Sequence, residues 1–269
     1  MTPTNDSSEA QRVLAQAGVC VVPGVIDADT IRDVRRRLLA AADAFRGSGA
    51  STFMPLLDPN DRNVRVFNLI ELDETFRELI LHAGALRYVR ALLGEHFMIS
   101  NFTANIALPG SRSMALHSDQ ALVAPEPWLA PWSMNVIWCL DDVHAANGGT
   151  RYIPGSHRYK TCDELPADPM AHTVSFVAAA GSIVIMDGRT WHTSGANTTA
   201  TQERALLFGY YSLDFVRPQV NWNVVLSSAT QRGVSAELHR RLGLGPTANV
   251  RIGGETLARR HELARTTDA

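Results

Sequence analysis

The sequence predicts a mainly β protein with flanking α-helices, built on a double-stranded β-helix, the jelly-roll or cupin-like barrel. Between residues 97 and 213, short apolar or alternating runs are interrupted by glycine, proline and asparagine, which is typical of antiparallel barrels. Eight such runs match the eight strands of a jelly roll. The chain has 269 residues, of which 45% are hydrophobic, and β-barrels of this length commonly fold as one unit around a substantial core.

Helical periodicity dominates residues 1–95, which we expect to support the barrel. Ile31, Val34 and Leu38 recur at helical spacing, and Asp27 before them is suited to cap the first turn. Residues 50–62 form an apolar loop that either folds over a pocket or packs on the core. The predicted elements are helices over residues 9–17, from Asp27 to about residue 47, 73–82 and 84–93, with one buried strand over residues 18–22.

Residues 96–213 are expected to form the jelly-roll core. Residues 214–269 are expected to add a helix around 235–242 and a polar tail, so that residues 1–269 make a single domain. The predicted strands cover residues 97–107, 113–118, 133–141, 150–153, 173–177, 182–187, 190–193 and 204–213.

Composition and charge exclude several classes of function. The formal net charge is −2, which provides no electrostatic attraction for nucleic acid. No apolar run approaches the roughly 18 residues of a membrane span, and the N-terminus lacks the apolar core of a signal peptide. The 3 cysteines are odd in number and lack metal-site spacing, which indicates a reducing compartment. The sequence therefore predicts a cytoplasmic monomer or homodimer without nucleic-acid or membrane partners.

Three side chains form a candidate metal centre. His117 and Asp119 stand two residues apart, and residues i and i+2 of a strand project from the same face. His192, much later in the chain, can complete three ligands on one side of an ion. Two histidines and one carboxylate that leave the other positions open are the facial arrangement of non-haem Fe(II) oxygenases. The spacing therefore offers a candidate metal centre whose ligand types match a non-haem iron site.

Arg204 begins an apolar strand after this set of residues. A guanidinium that points into a barrel needs a partner, because an unpaired buried charge is costly. The carboxylate of a ligand, held by two parallel hydrogen bonds, would be such a partner. The glycines in residues 147–149 permit a positive φ and a close approach of the backbone.

Six short pieces of the segment 95–213 carry a resemblance to a known family. They are His117-Ser118-Asp119-Gln120, Trp138-Cys139-Leu140-Asp141-Asp142, Asn147-Gly148-Gly149, Ile153-Pro154-Gly155-Ser156-His157, Trp191-His192 and Arg204. In order and spacing they resemble the phytanoyl-CoA dioxygenase-like family of Fe(II)- and 2-oxoglutarate-dependent oxygenases. The segment 119–128 resembles the branch that tailors natural products. The resemblance implies a non-haem iron dioxygenase with 2-oxoglutarate and O2 as co-substrates.

The resemblance further implies that His117, Asp119 and His192 ligate Fe(II), and that Arg204 holds the distal carboxylate of 2-oxoglutarate. Family members that halogenate carry a small residue in place of the carboxylate, so Asp119 argues against halogenation. The implied reaction is then oxidation of a C–H bond by hydroxylation, desaturation, epoxidation or cyclisation, with release of succinate and CO2.

Three further positions are expected at the co-substrate site by the same resemblance. Thr150 and Trp138 match positions that commonly line it, and Asn105 lies on a strand before the metal motif. Trp138, as a strand tryptophan, is also consistent with a place in the core. The tailoring branch often has a glutamine two or three residues before the first histidine. This chain has Met114 and Ala115 there, which leaves one expected polar contact to 2-oxoglutarate open.

The substrate is expected to be a small, partly apolar secondary metabolite, since no basic cluster stands out for the phosphates of coenzyme A. Loops 50–62 and 120–132 are expected to decide specificity. Either a substrate pocket or ordinary packing explains Phe53, Met54, Leu56, Phe102, Gln120, Trp128 and Phe215.

Two other functions are compatible with the same predicted fold. A cupin-type metal-dependent dioxygenase or isomerase would not use 2-oxoglutarate, and a catalytically silent jelly-roll domain would only bind. Arg204 separates the first alternative from the main hypothesis, because only the oxygenase needs it for the co-substrate. The intact metal set argues against the second alternative.

Overall fold

The computed structural model consists of antiparallel sheets surrounded by helices, as the sequence predicts. It describes residues 2–49, 51–52, 54–55, 58–244, 251–252 and 255–256. The strands are β1 (Val19–Val22), β2 (Asn63–Val66), β3 (Phe97–Ala107), β4 (Ser133–Cys139), β5 (Arg151–Tyr152), β6 (Val174–Ser175), β7 (Ile183–Asp187), β8 (His192–Thr193), β9 (Arg204–Leu213), β10 (Arg251–Ile252) and β11 (Glu255–Thr256). Phe53 and Leu56, expected in a substrate pocket, lie outside the described residues, as does most of the predicted polar tail.

The helices lie mainly before β3 and after β9. They are α1 (Ser7–Ala17), α2 (Ala28–Gly47), α3 (Leu69–Leu72), α4 (Glu74–Ile80), α5 (Ala83–Leu93), α6 (Trp222–Val225), α7 (Ser228–Gly233) and α8 (Ala236–Arg241). Asp27 caps α2 as predicted, because its side chain accepts a hydrogen bond from the Thr30 N–H at 2.8 Å. Among the described helices, none combines the length and apolar character needed to cross a membrane.

Strands β1 to β9 form two facing layers, and β10 and β11 pair with each other in a separate two-stranded sheet. The larger sheet has the order β1–β7–β4–β9–β3–β2, and the smaller has the order β6–β5–β8. Neighbouring strands in both are antiparallel. Because side chains alternate along a strand, the larger sheet presents one face to the helices and the other to the smaller sheet.

The helix-covered face holds the main hydrophobic core. Met134, Val136 and Trp138 of β4 point into it, together with side chains from the N-terminal helices and from α6 and α8. The opposite face holds a smaller cluster that includes Ile137 and Cys139 of β4. Successive residues of a single strand therefore separate the structural core from the interior between the sheets.

A β-bulge in β3 decides which of its side chains face the interior. The pairing of β3 with β9 shifts between Ile99 and Asn101, so that one extra residue enters β3. A shift of one residue exchanges the two faces of a strand. Phe102 consequently packs in the helix-side core with its ring edge against Phe76, while Asn101 points to the opposite side.

Most predicted strands are confirmed. Those over residues 97–107 and 204–213 have the predicted bounds, and those over 133–141, 150–153, 173–177, 182–187 and 190–193 are present as shorter strands. The strand predicted over residues 113–118 is wrong, because only His117 pairs there, through an isolated bridge. The backbone N–H and C=O of Met114 bond instead to the hydroxyl groups of Ser194 and Thr193.

The helices predicted over residues 9–17, 73–82, 84–93 and 235–242 and the helix after Asp27 are also present. The sequence patterns do not predict β2 or the short helices α3, α6 and α7. These elements have four to six residues, which is too short for a hydrophobic period to emerge.

Two phenylalanine substitutions test the assignment of faces. Phe102→Ala is expected to lower the free energy of unfolding by about 3–5 kcal/mol, because it opens a cavity in the core. Phe215→Ala, at a side chain that is 57% exposed, is expected to cost less than about 1 kcal/mol. Urea denaturation followed by circular dichroism measures both. Equal, small losses would contradict the placement of Phe102 in the core.

Candidate active site

The two histidines of the predicted metal set are neighbours across a backbone bridge. The His117 N–H donates to the His192 carbonyl at 3.0 Å, and the His192 N–H donates back to the His117 carbonyl at 2.8 Å. Residues that face each other in such a pair project their side chains from the same side. The ring centroids lie 4.4 Å apart, so both imidazoles reach one point between the sheets.

Each imidazole is oriented by a backbone carbonyl. Nδ1 of His117 lies 2.9 Å from the carbonyl oxygen of Ala115, and Nδ1 of His192 lies 2.9 Å from that of Thr190. Because a carbonyl only accepts, both Nδ1 atoms carry the proton and donate. In the neutral form of each ring, Nε2 then carries the free lone pair, which is the form of histidine that binds a metal ion.

Asp119 completes the set. One carboxylate oxygen lies 3.7 Å from Nε2 of His117, and the other lies 4.0 Å from Nε2 of His192. Burial lowers the pKa of His192, and the neighbouring His117 lowers it further, which favours the neutral ligand form. The potential ligand atoms lie within 4.8 Å of one another, so the three side chains could hold one metal ion.

The turn after β7 fixes the position of this motif. The Gly188 carbonyl accepts hydrogen bonds from the Ser118 hydroxyl at 3.0 Å and from the Gln120 N–H at 2.8 Å. A side chain at position 188 would collide with Ser133, since a Cβ there would lie 2.0 Å from its hydroxyl oxygen. The predicted Asp187-Gly188 turn therefore holds Ser118 and Gln120, the residues on both sides of Asp119.

The three residues open onto a cavity of about 270 Å³. Four other residues expected at the site also line it, namely Met54, Asn105, Thr150 and Arg204. Several further residues that belong to no sequence motif also line the cavity; they include Arg65, Asn101, Thr103, Asn135, Phe208 and Tyr210. Because side chains alternate along a strand, Asn101 and Thr103 lie on the same face of β3 as Asn105. Phe208 and Tyr210 likewise lie on the same face of β9 as Arg204.

Arg204 lies in the same cavity and is 1% exposed. Its Nη1 donates to the backbone and side-chain oxygens of Asn105 at 3.4 and 3.3 Å. Among the described residues, no carboxylate lies within ion-pair distance of it. Burial lowers the pKa of Arg204 to about 10, so the group stays positive at neutral pH. The site thus holds a buried cation that lacks an anionic partner of its own.

The predicted glycine-rich turn lies next to this cation. Gly148 has a φ of +86°, as expected from the sequence. A Cβ at this position would lie 3.1 Å from the Gly195 carbonyl and 3.5 Å from Nη2 of Arg204. Glycine therefore permits both the backbone conformation and the close packing around the guanidinium.

Arg65 is a second cation in the cavity. Its guanidinium donates to both carboxylate oxygens of Asp58, at 2.6 and 2.7 Å, and it contacts the sulfur of Met114. The only sequence signal was the alternation of charged and apolar residues in β2. Arg65 thus lies beside the position at which the sequence lacks the expected glutamine.

Two residues predicted at the site face away from it. Trp138 is fully buried on the helix side of β4, with its ring edge against His82, so the expectation that it lines the co-substrate site is wrong. Phe102 is on the helix side of β3 for the reason given above, so its assignment to a substrate pocket is also wrong.

Three other pocket candidates hold the loop after Asp119. Gln120 uses its side-chain amide to bond the Ala130 carbonyl and the Trp132 N–H. Trp128 packs edge-on to Trp191, with their ring centroids 6.3 Å apart. Phe215 is exposed and packs against Trp132. These contacts account for Gln120, Trp128 and Phe215 by packing, and none of the three lines the cavity beside the metal set.

Comparisons with known proteins agree with this geometry. A family model described as phytanoyl-CoA dioxygenase matches residues 14–205. The dioxygenase af480 of Aspergillus fumigatus is 45% identical over 241 residues, which cover 90% of this chain and 78% of the relative.

Two solved structures have the same fold. HygX from Streptomyces hygroscopicus, with nickel and 2-oxoglutarate bound, gives a TM-score of 0.64 at 16% identity, covering 79% of this chain and 89% of its own. SnoN, a non-haem 2-oxoglutarate-dependent epimerase from nogalamycin biosynthesis, gives 0.64 at 21% identity, covering 91% and 95%. These likenesses confirm the predicted double-stranded β-helix.

Metal binding tests the assignment of the ligands. Calorimetric titration with Co(II) is expected to show one site in the unmodified protein. His192→Ala is expected to weaken it by more than about a hundredfold, because changes outside the ligand shell alone cost tenfold to hundredfold. His172→Ala, at an exposed histidine, is the matched control and should bind as the parent does. Unchanged binding by the His192 variant would refute the assignment.

Proposed function

The chain belongs to the phytanoyl-CoA dioxygenase family, and we propose that it is an Fe(II)- and 2-oxoglutarate-dependent oxygenase. It oxidises a C–H bond of a small secondary metabolite and releases succinate and CO2. One observation carries the proposal: a His-Asp-His set with free Nε2 atoms shares its cavity with a buried guanidinium that lacks a carboxylate partner. A metal ion at one end and a small dicarboxylate between the two would satisfy both groups.

The donor atoms fit Fe(II). His117, Asp119 and His192 would hold the ion from one side, and the cavity faces its remaining positions. The two carbonyls that fix the Nδ1 protons support this, because they keep both rings in the ligating tautomer without any rearrangement. Iron and 2-oxoglutarate, when bound, would activate O2, and O2 is the oxidant that removes hydrogen from an unreactive carbon.

The remaining residues fit the co-substrate. Arg204 would hold the distal carboxylate of 2-oxoglutarate, since a bidentate pair would give its buried charge a counter-ion. Asn105 and Thr150 line the same part of the cavity, and Asn105 holds the guanidinium in place. Arg65, which Asp58 holds in place, lies where Met114 replaces a glutamine, and we propose that its guanidinium contacts the oxo acid there.

The rest of the cavity wall is suited to a partly apolar substrate. Phe67, Leu122, Phe208 and Tyr210 line it together with Met54, and such a wall excludes water from the reacting carbon. Asp119 supplies the third ligand, which supports hydroxylation, desaturation, epoxidation or cyclisation over halogenation.

We further propose that residues 1–269 act as a single domain, in the cytoplasm, as a monomer or homodimer without nucleic-acid or membrane partners. Helices from both ends of the described chain share one hydrophobic cluster with the larger sheet, which supports a single unit. Cys20, Cys139 and Cys162 are free thiols, and the net charge is −2. Both features agree with a reducing compartment and a small-molecule partner.

Anaerobic spectroscopy tests the proposed function. Adding Fe(II) and then 2-oxoglutarate to the metal-free protein is expected to produce a weak visible absorption band from the bound oxo acid. On admission of O2, the protein is expected to release succinate, slowly alone and faster with a true substrate. A protein that binds Fe(II) but shows neither the band nor succinate would be a different type of metal enzyme.

Arg204→Met separates 2-oxoglutarate binding from metal binding. Loss of the paired charge is expected to raise the KM for 2-oxoglutarate by at least about a hundredfold, which corresponds to about 2.7 kcal/mol, while Co(II) affinity stays the same. Arg36→Met, at a side chain that is 67% exposed, is the control and should leave the KM unchanged. A normal KM in the Arg204 variant would overturn the assigned role.

A further inference from the structure

Asn135 contacts the proposed metal-ligating carboxylate from the wall of the cavity. It lies on β4, is 6% exposed, and donates a hydrogen bond from Nδ2 to Oδ2 of Asp119. An ionised carboxylate only accepts hydrogen bonds. The amide must therefore present its nitrogen to Asp119, which fixes the orientation of the Asn135 side chain.

This orientation leaves the other end of the amide without a partner. The oxygen of Asn135 is buried and accepts no hydrogen bond from any described residue. An unsatisfied buried acceptor is unfavourable, and an apolar side chain of the same shape would avoid it. The hydrogen bond to Asp119 therefore accounts for an amide at position 135, whereas packing in the surrounding core does not.

Neighbouring contacts restrain Asp119 further. Tyr210 lies opposite Asn135 on the adjacent strand β9, and its hydroxyl donates to the backbone carbonyl of Asp119 at 3.4 Å. Asp119 is thereby held at its main chain by one strand and at its side chain by the next.

We propose that Asn135 is a positioning residue that makes Asp119 a ligand through a single oxygen. By occupying Oδ2, the amide prevents both oxygens from binding the ion, and this leaves a coordination position for the co-substrates. The inference rests on the proposed function, since it needs a metal at the His117, Asp119 and His192 set. It adds that Asp119 needs a hydrogen-bond donor at position 135 in order to bind the ion through one oxygen.

Asn135→Leu tests the inference because leucine keeps the approximate shape and removes the donor. Co(II) titration of the metal-free variant is expected to show an affinity roughly tenfold to hundredfold lower than that of the parent, the usual effect of removing a hydrogen bond to a ligand. At saturating Fe(II), the visible band formed with 2-oxoglutarate is expected to be weaker, because a two-oxygen Asp119 would occupy a position that the oxo acid needs.

Asn101→Leu is the matched control. Asn101 lies on the other side of Tyr210 in the same row of the sheet and also lines the cavity. Its amide bonds Gln219 at 3.1 Å instead of Asp119. A general effect of removing a polar group from this wall would lower the Co(II) affinity of both variants, whereas the proposed effect lowers it only at position 135.

The outcomes separate the inference from the proposed function. A parent protein with neither a Co(II) site nor the band would refute the proposed function and the inference with it. If the parent has both and Asn135→Leu matches it in affinity and band, the proposed function stands and the inference is overturned. Should the leucine variant fail to fold by circular dichroism, Asn135→Ala removes the same donor without added bulk and is subject to the same criteria.

Discussion

One pair of backbone hydrogen bonds, between His117 and His192, sets the position of everything else at the site. It brings together two residues that are distant in the chain and puts both imidazoles on the same side of the strands. The carbonyls of Ala115 and Thr190 then select the tautomer. No long side chain is needed to assemble this centre, so its geometry has the rigidity of the backbone itself.

Because side chains alternate along each strand, one face of the larger sheet packs in the main hydrophobic core and the other borders the cavity. On β4, Asn135 faces the cavity while Trp138 faces the helices. On β3, a single extra residue exchanges the two faces, so that Asn105 reaches Arg204. Burial of the Arg204 cation without a carboxylate partner among the described residues is unfavourable, and binding of a dicarboxylate would remove that cost.

Sequence reasoning was sufficient for the fold class, for the bounds of β3 and β9, and for the residues whose types carry metal chemistry. Sequence reasoning failed for residues whose position or role depends on contacts with distant parts of the chain. Phe102 and Asn105 are three residues apart on β3, so alternation puts them on opposite faces, and only the tertiary structure shows that the face of Asn105 borders the cavity. Arg65 and Asn135 have no motif of their own, since only their neighbours in space, Asp58 and Asp119, give them a role. Gln120 is a pocket candidate in the sequence, but in the structure its side-chain amide holds a loop.

The central claim is that one cavity brings a metal ion and a dicarboxylate together. Crystals grown anaerobically with Fe(II) and 2-oxoglutarate, with anomalous diffraction recorded at the iron edge, test it most directly. The account predicts one iron peak at roughly 2 Å from Nε2 of His117 and His192 and from one oxygen of Asp119, with the distal carboxylate of the oxo acid on Arg204. An iron peak elsewhere, or an oxo acid that leaves Arg204 without a partner, would contradict it.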